Sequence, residues 1–231
     1  MTTDVRLCSM MRQKILISWS SGKDSAWMLH RVRESGQFEI GALLTMINEA
    51  VDRVAMHAVR VTLLQAQARA AAVPLWTVRI PATCSNEMYE QRLGEAVRRA
   101  VAEGFIHVAF GDLFLEDVRQ YRESKLAGSG LTPIFPLWAR PTNTLAREMI
   151  AGGLRAKITC VDPRALDRAY AGRDYDASFL QELPPSVDPC GERGEFHSFA
   201  YAGPMFDAPI PIVIGETVER DGFVFTDLLP L

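Results

Sequence analysis

Ser20-Ser21-Gly22-Lys23-Asp24-Ser25 follows the apolar run Ile15-Leu16-Ile17 and precedes a helical pattern, and this stretch decides the fold. A strand, a turn of small residues and a helix start form a cradle for an anion, because the backbone approaches the ligand closely and unpaired helical N–H groups face it. Three hydroxyls and one ammonium add side-chain donors. The stretch predicts a phosphate-binding site; the alternative is a polar strand-to-helix turn with an N-cap and no ligand.

The spacing of this stretch does not fit a Walker A loop. That motif, G-x-x-x-x-G-K-[ST], needs a glycine where Ile17 stands, and it needs Ser or Thr where Asp24 follows the lysine. The hexapeptide instead resembles S-G-G-x-D-S, the PP-loop of the N-type ATP pyrophosphatases, which release AMP and pyrophosphate from ATP. Ser21 replaces the first glycine, so the backbone dihedral φ at this position must suit a residue with a Cβ atom.

Length and composition limit the class of protein. The 231 residues are 48% hydrophobic and can bury one large core or two modest ones. A net charge of −3 and the absence of a long basic run disfavour a nucleic-acid partner. No apolar segment is long enough to cross a membrane, and the four scattered cysteines indicate reduced thiols, so we expect a cytoplasmic protein. We interpret residues 1–13 as a flexible leader.

Apolar periodicity along the chain predicts an α/β fold. Strands near residues 14–19, 38–46, 75–80 and 107–110 alternate with three helices, which indicates a Rossmann-like, doubly wound and mainly parallel sheet. The composition changes after residue 138, where a helix, a strand and a closing hairpin around Asp221-Gly222 predict a smaller α+β domain. We therefore expect an ATP-binding domain at residues 14–138 and a substrate domain at residues 139–231.

Ligands of such sheets bind beyond the carboxyl ends of the strands. We expect adenosine between residues 20–25 and Thr45-Met46, with Gly111 allowing close backbone approach. Asp112 either orients a ribose, a metal-bound water or the substrate, or simply caps a helix before Leu113-Phe114. The predicted ATP-binding residues are Ser18, Ser20, Ser21, Gly22, Lys23, Asp24, Ser25, Thr45, Met46, Gly111 and Asp112.

A second group of reactive side chains occupies the predicted loop at residues 188–199, after Pro184-Pro185. Cys190 and His197 lack partners at the C-x-x-C or H-x₃₋₅-H spacing of structural zinc, so we expect no structural metal. A Cys-His nucleophile would need a third orienting group, which is not recognisable. A solvated charge cluster containing Glu192 and Glu195 is the plain alternative to a functional loop.

Four motifs in order carry a resemblance to a known family: S-S-G-K-D-S at 20–25, F-G-D-L at 110–113, F-P-L-W at 135–138 and C-G-E-R-G-E-F-H-S-F at 190–199. Together they resemble the diphthine-ammonia ligase-like PP-loop proteins over residues 14–231. The resemblance implies a HUP, adenine nucleotide alpha hydrolase-like domain and a C-terminal domain whose G-E-x-G-E loop lines the substrate pocket. Phe196-His197-Ser198 departs from the family, which tends to have tyrosine and an acidic residue there.

The resemblance also implies a reaction. Eukaryotic and archaeal members convert the carboxylate of diphthine on elongation factor 2 to diphthamide, using ATP and ammonium. This chain looks like the short bacterial branch; because bacteria lack diphthamide, its substrate is left open among diphthine, a cobalamin-related acid and another carboxylate. A PP-loop enzyme that modifies tRNA and a non-catalytic ATP sensor remain alternatives.

The expected mechanism is adenylation of a carboxylate followed by transfer of ammonia from free ammonium. The cofactors are ATP and Mg²⁺, with the metal near Asp24, and a homodimer is one assembly that the sequence allows. The expected catalytic residues are Lys23, Asp24, Glu192 and Glu195. The expected substrate-binding residues are Cys190, Gly191, Glu192, Gly194, Glu195 and His197.

Overall fold

The computed structural model describes residues 12–54, 58–81 and 83–231. The first part of the chain forms β1 (Gln13–Ser18), α1 (Lys23–Ser35), β2 (Phe38–Asn48), β3 (Arg53–Val54), α2 (Val61–Ala70), β4 (Leu75–Ile80), α3 (Asn86–Ala102), β5 (Phe105–Ala109), α4 (Glu116–Leu126) and β6 (Thr132–Ile134). The second part forms α5 (Thr142–Ala151), β7 (Arg155–Val161), a 3₁₀ turn (Arg168–Tyr170), α6 (Ala177–Glu182), β8 (Phe196–Ala202), β9 (Ile212–Arg220) and β10 (Phe223–Pro230).

The first sheet is parallel except for one short strand. Its parallel strands lie in the order β4-β2-β1-β5-β6, and β3 pairs with β2 antiparallel. Successive residues of β1 face opposite sides, so Ile15 and Ile17 enter one hydrophobic cluster while Leu16 enters another. The sheet is therefore covered on both faces, which confirms the doubly wound α/β fold predicted from the sequence.

The second sheet is antiparallel, in the order β8-β7-β10-β9. Its inner residues Phe196 and Phe199 belong to the same hydrophobic cluster as Ile15 of the parallel sheet. This shared core seats β8 against the start of α1. As a result, the carboxyl end of β1 and the second half of the chain meet at one place.

Several sequence expectations need correction. Helix α4 and strand β6 follow residue 110 unpredicted, and α4 begins at Glu116, so Asp112 is not its N-cap. The predicted loop at 188–199 ends early, since its last residues start β8 at Phe196. Strand β1 begins at Gln13, within the predicted leader, and residues 1–11 of that leader lie outside the described residues. No helix in the described part of the chain is both long and apolar enough to cross a membrane.

Candidate functional site

A polar cavity lies where β1 and β5 end and the segment at 188–197 crosses the sheet edge. It holds about 240 Å³, below the roughly 300–1,000 Å³ of typical ligand pockets. Its lining residues are Ser18, Ser20, Lys23, Asp24, Ser25, Gly111, Asp112, Arg122, Gly191, Glu192, Gly194, Phe196 and His197. The structure therefore brings most predicted residues of both motifs to one place.

The hydroxyls of Ser20 and Ser25 bind each other and the backbone of Gly22 within the same loop. Ser20 Oγ donates to Ser25 Oγ at 3.1 Å and accepts from the Gly22 N–H at 3.3 Å, while Ser25 Oγ donates to the Gly22 carbonyl at 3.0 Å. Ser21 adopts φ of +69°, in the left-handed region that favours glycine, and its buried Oγ has no partner among the described residues. The loop thus keeps the backbone conformation of a glycine-containing turn despite the serine.

The first turn of α1 is held from two sides. The Lys23 N–H donates to Ser198 Oγ of β8 at 3.2 Å, so one of the helix's free donors is occupied by a side chain. A Cβ atom on Gly111 would lie 3.3 Å from the backbone of Asp24 and Ser25. The close approach expected at Gly111 is therefore present, and its partner is the start of α1.

Lys23 joins the two motifs. Its side chain is only 2% exposed, and its ammonium contacts Asp24 Oδ2 at 2.7 Å and the Cys190 carbonyl oxygen. It also lies over the rings of Tyr175 and Phe196, with centroid distances of 5.5 and 5.2 Å. Burial is the largest single effect and disfavours the charged lysine, but the charge of Asp24, its hydrogen bond and the nearby Cys190 and Glu192 together raise the pKa of Lys23. Lys23 is therefore a buried cation at the centre of the site.

The second loop is held in shape by two of its own carboxylates. Glu195 accepts the N–H groups of Asp188 and Arg193, both at 3.0 Å. Asp188 accepts those of Cys190 and Glu192 at 3.2 and 3.0 Å. Both carboxylates are almost fully buried, and neither lines the cavity. Glu195, expected to be catalytic, thus lies where it braces the loop.

Glu192 is the carboxylate of this loop that faces the cavity. One oxygen accepts the Leu113 N–H at 2.7 Å. Burial, with a smaller contribution from the Asp24 charge, raises the pKa of Glu192 to about 7, although the Leu113 hydrogen bond opposes the shift. Glu192 therefore exchanges a proton near neutral pH, which is the property required of a general acid or base.

Unlike Glu192, the neighbouring His197 and Cys190 do not gain or lose a proton near neutral pH. Burial, together with the charge of Lys23, lowers the pKa of His197 to about 4, so the imidazole is neutral at pH 7. Cys190 is buried, its thiol lies 3.6 Å from the Thr142 carbonyl oxygen, and burial raises its pKa well above the usual range. Cys190 therefore does not supply a thiolate at neutral pH.

Comparison with known proteins agrees with this arrangement. The diphthamide synthase N-terminal domain matches residues 11–133, and the diphthamide synthase C-terminal domain matches residues 141–226. The chain belongs to the diphthamide synthase family. It is 27% identical over 240 residues to the diphthine–ammonia ligase of Homo sapiens and 28% identical over 238 residues to that of Rattus norvegicus. Each alignment covers 93% of this chain and 88% of the relative, and these relatives are ligases.

In this diphthamide synthase family member, a second cavity adjoins the polar one. It is mainly apolar and shares Ser18 and Arg122 with the polar cavity. Met46 lines it, whereas Thr45 points to the other face of β2 and its hydroxyl donates to the Trp19 carbonyl at 2.8 Å. Thr45, expected to bind ATP, thus lines neither of these two cavities.

Two residues of this family member at the site were not found by sequence analysis. Arg122 of α4 forms a two-point ion pair with Asp112, at 2.5 and 3.0 Å, where the two cavities meet. Gln67 of α2 is fully buried; its amide donates to the carbonyls of Ser21 and Ala200 at 2.9 and 2.7 Å. Gln67 also accepts from Trp19 Nε1 at 3.0 Å. Neither residue belongs to a motif, and each acts through contacts distant in sequence.

Proposed function

We propose that this protein is an ATP-dependent, AMP-forming ligase that converts a carboxylate to an amide with ammonia. The observation that carries the proposal is the single cavity shared by the 20–25 loop and Glu192, with Lys23 in contact with both loops. A phosphate cradle and a proton-exchanging carboxylate in one site suit a reaction that first activates an acid and then admits an amine.

Activation requires a better leaving group on the acid. A carboxylate oxygen attacks the α-phosphorus of ATP, an O–P bond forms, and the bond to the β-phosphate bridging oxygen breaks with release of pyrophosphate. The free N–H groups of α1 donate to the phosphates, and the hydroxyls of Ser20 and Ser25 do so by exchanging their hydrogen bonds within the loop for the ligand. Lys23 neutralises the charge that develops on the leaving group. The polar cavity takes the phosphates, and we place the adenosine beside Met46 in the adjoining apolar cavity, which holds about 60 Å³ and has to widen to admit it.

The site also suits Mg²⁺ carried by the nucleotide. Asp24 Oδ1 is buried and has no hydrogen-bond partner among the described residues, and a carboxylate oxygen is a ligand that Mg²⁺ prefers. When bound, the metal would neutralise phosphate charge. Asp24 would hold it, while its other oxygen stays paired with Lys23.

Ammonia then attacks the acyl carbon, a C–N bond forms, and the C–O bond to AMP breaks. Glu192 receives the proton lost by the nitrogen, because its pKa of about 7 lets it accept and release protons at neutral pH. Neutral His197 remains able to donate or accept a hydrogen bond to the incoming acid. The name of the relatives makes diphthine the first carboxylate to test.

Phosphorus NMR of a reaction containing ATP, Mg²⁺, ammonium and the carboxylate tests this function. We expect AMP and pyrophosphate in amounts equal to the amide formed. ADP and phosphate as products would overturn the adenylation. Bound ATP that persists with every carboxylate offered would favour a sensor, and pyrophosphate release stimulated by tRNA would favour a tRNA-modifying enzyme.

A further inference from the structure

The outer strand of the antiparallel sheet presents a long open edge. Strand β9 spans nine residues, Ile212–Arg220, and stands last in the order β8-β7-β10-β9. Within residues 12–54, 58–81 and 83–231 its only strand partner is β10. An edge of this kind offers a row of N–H and C=O groups to another strand.

Exposed apolar side chains concentrate on the same hairpin. Ten large hydrophobic residues are exposed in the described part of the chain, and five of them lie on β9 or at the end of β10. These five are Val213, Ile214, Val218, Leu229 and Leu231. Such an edge, flanked by exposed apolar side chains, is a ready site for pairing with a further strand.

We propose that β9 pairs antiparallel with β9 of a second copy of this chain, about a two-fold axis at Val218. The pairing joins the two four-stranded sheets into one continuous sheet. It buries Val218 against its own symmetry mate and places the edge groups of both strands in a ladder. The cavity is spared, because β8, the strand that contacts α1, lies at the opposite edge of the sheet.

Charge favours this register over those centred on the neighbouring residues 216, 217 and 219. A two-fold axis perpendicular to the sheet keeps each residue on its own face, so the two strands must be centred on a residue. Centring on Val218 places Glu216 opposite Arg220 of the other copy, twice. Centring on Glu216 or Glu219 instead opposes identical carboxylates, and centring on Thr217 opposes Glu216 to Val218; these arrangements are unfavourable.

The charged partners are available for this contact. Glu216 makes no ion pair within the described residues, and the Arg220 guanidinium is half exposed and lies 3.7 Å from the exposed Asp221. Within one strand Glu216 and Arg220 are roughly 13 Å apart, at about 3.3 Å per residue, so they cannot pair in the same chain. Any rescue between them must come from a second copy.

Reciprocal charge reversal tests the register. Sedimentation of the full chain should show a dimer. Glu216→Arg and Arg220→Glu should each raise the dissociation constant by about tenfold or more, because two pairs become repulsive. The double variant should restore it. A monomeric wild type overturns the pairing, including the case in which residues 1–11 cover β9 instead. A dimer that is insensitive to the single reversals also overturns it.

Cross-linking gives a second and independent measurement. Val218→Cys places two cysteines directly opposite each other, within the Cα separation of a disulfide, and should form a covalent dimer under mild oxidation. Glu219→Cys is the matched control. In this register residue 219 lies opposite residue 217 of the other copy, so the Cα atoms of the two new cysteines are more than about 7 Å apart, too far for a disulfide. Equal cross-linking of the two variants, or of the wild type with its own cysteines, overturns the Val218 centre.

Discussion

The two loops that face the polar cavity are built in opposite ways. In the loop at 20–25, small side chains bind one another and two oxygens, Ser21 Oγ and Asp24 Oδ1, remain without partners among the described residues. In the loop at 188–195, Asp188 and Glu195 each accept hydrogen bonds from two of the loop's own N–H groups. The first loop leaves polar atoms without hydrogen bonds, whereas the second loop uses two carboxylates to hold its backbone so that Glu192 faces the cavity.

This difference explains why a dense cluster of charged residues is a poor guide to chemistry. Glu192 and Glu195 are three residues apart in one motif, yet only Glu192 faces the cavity. The pKa of Glu192 is raised to about 7, chiefly by burial. Each of the following experiments asks whether the contrast between a ligand-binding loop and a self-bracing loop is correct.

The largest expected effect separates the two glutamates. Glu192→Gln keeps the hydrogen bond to the Leu113 N–H but removes the base, so amide formation should fall by about 10²–10⁴ while ATP affinity stays within a few-fold. Glu195→Gln is the matched control. It loses a charge-assisted bond within the loop, so it should lower the free energy of unfolding by about 1.5–3 kcal/mol. A larger loss of turnover in Glu195→Gln would reverse the two roles.

Gly191→Ala should strain the backbone of the loop at 188–195 and so destabilise the protein. Gly191 has φ of +67°, and a Cβ atom there would lie 2.8 Å from the Phe196 carbonyl oxygen. The conformational cost and the clash together should lower the free energy of unfolding by about 2–4 kcal/mol in urea titration. Gly194→Ala has positive φ but open space around the new atom, so it should cost only about 1–2 kcal/mol. Equal losses of unfolding free energy in the two variants would show that the loop shifts to relieve the contact with the Phe196 carbonyl.

Lys23→Ala should weaken ATP binding roughly tenfold or more, because it removes a charge-assisted phosphate contact. Calorimetry measures the affinity, and circular dichroism checks that the variant is folded. Lys157→Ala is the control, since it also removes a lysine–aspartate pair but lies in β7 outside the cavity. Unchanged ATP affinity in folded Lys23→Ala would remove the assignment of the 20–25 loop to phosphate.

The pH dependence of turnover should report Glu192. A base acts only when deprotonated, and burial raises the pKa of Glu192 to about 7. The ratio of the wild-type rate to the Glu192→Gln rate should therefore rise about tenfold from pH 6 and level off above pH 8. Taking the ratio removes the change in free ammonia with pH. A ratio that is flat across this range would exclude Glu192 as the base.

Ser21→Gly should have the smallest effect of these changes, and it should stabilise the protein instead of destabilising it. Glycine adopts φ of +69° without strain, and the change removes a buried hydroxyl without a partner in the described residues. The greater freedom of glycine in the unfolded chain opposes this stabilisation, and we expect a net gain of about 1 kcal/mol in the free energy of unfolding. Thermal unfolding measures it. A loss of stability would show that Ser21 holds the ligand-binding loop in place.

The fold could be predicted where local signals agree with packing. Strand β4 was predicted with its observed bounds, Leu75–Ile80, since its side chains alternate. Helix α1 ends at Ser35, where the sequence carries its own stop signal: the next residue is Gly36, whose φ of +62° suits glycine. Helix α4 was missed because only Leu126 of its residues is buried, so its sequence has no apolar stripe.

The site was predictable only where it is local in sequence. The 20–25 loop carries its own signature, and the strand ends place Gly111 and Asp112 beside it. Gln67 gave no signal, since its partners lie 46 and 133 residues away. The distinct positions of Glu192 and Glu195 depend on the path of the loop, which residue types alone do not specify.

The hydrogen bonds from β8 to the 20–25 loop have a consequence for how such proteins arise. Ser198 satisfies the first N–H of α1, and the Ala200 N–H donates to the Ser21 carbonyl at 3.0 Å. An isolated copy of residues 14–138 would leave the Lys23 N–H without its partner and the Ser21 carbonyl with the Gln67 amide alone. The first half of the chain is therefore poorly suited to exchange by gene fusion, because a new C-terminal half would first have to supply hydrogen-bond partners behind the 20–25 loop.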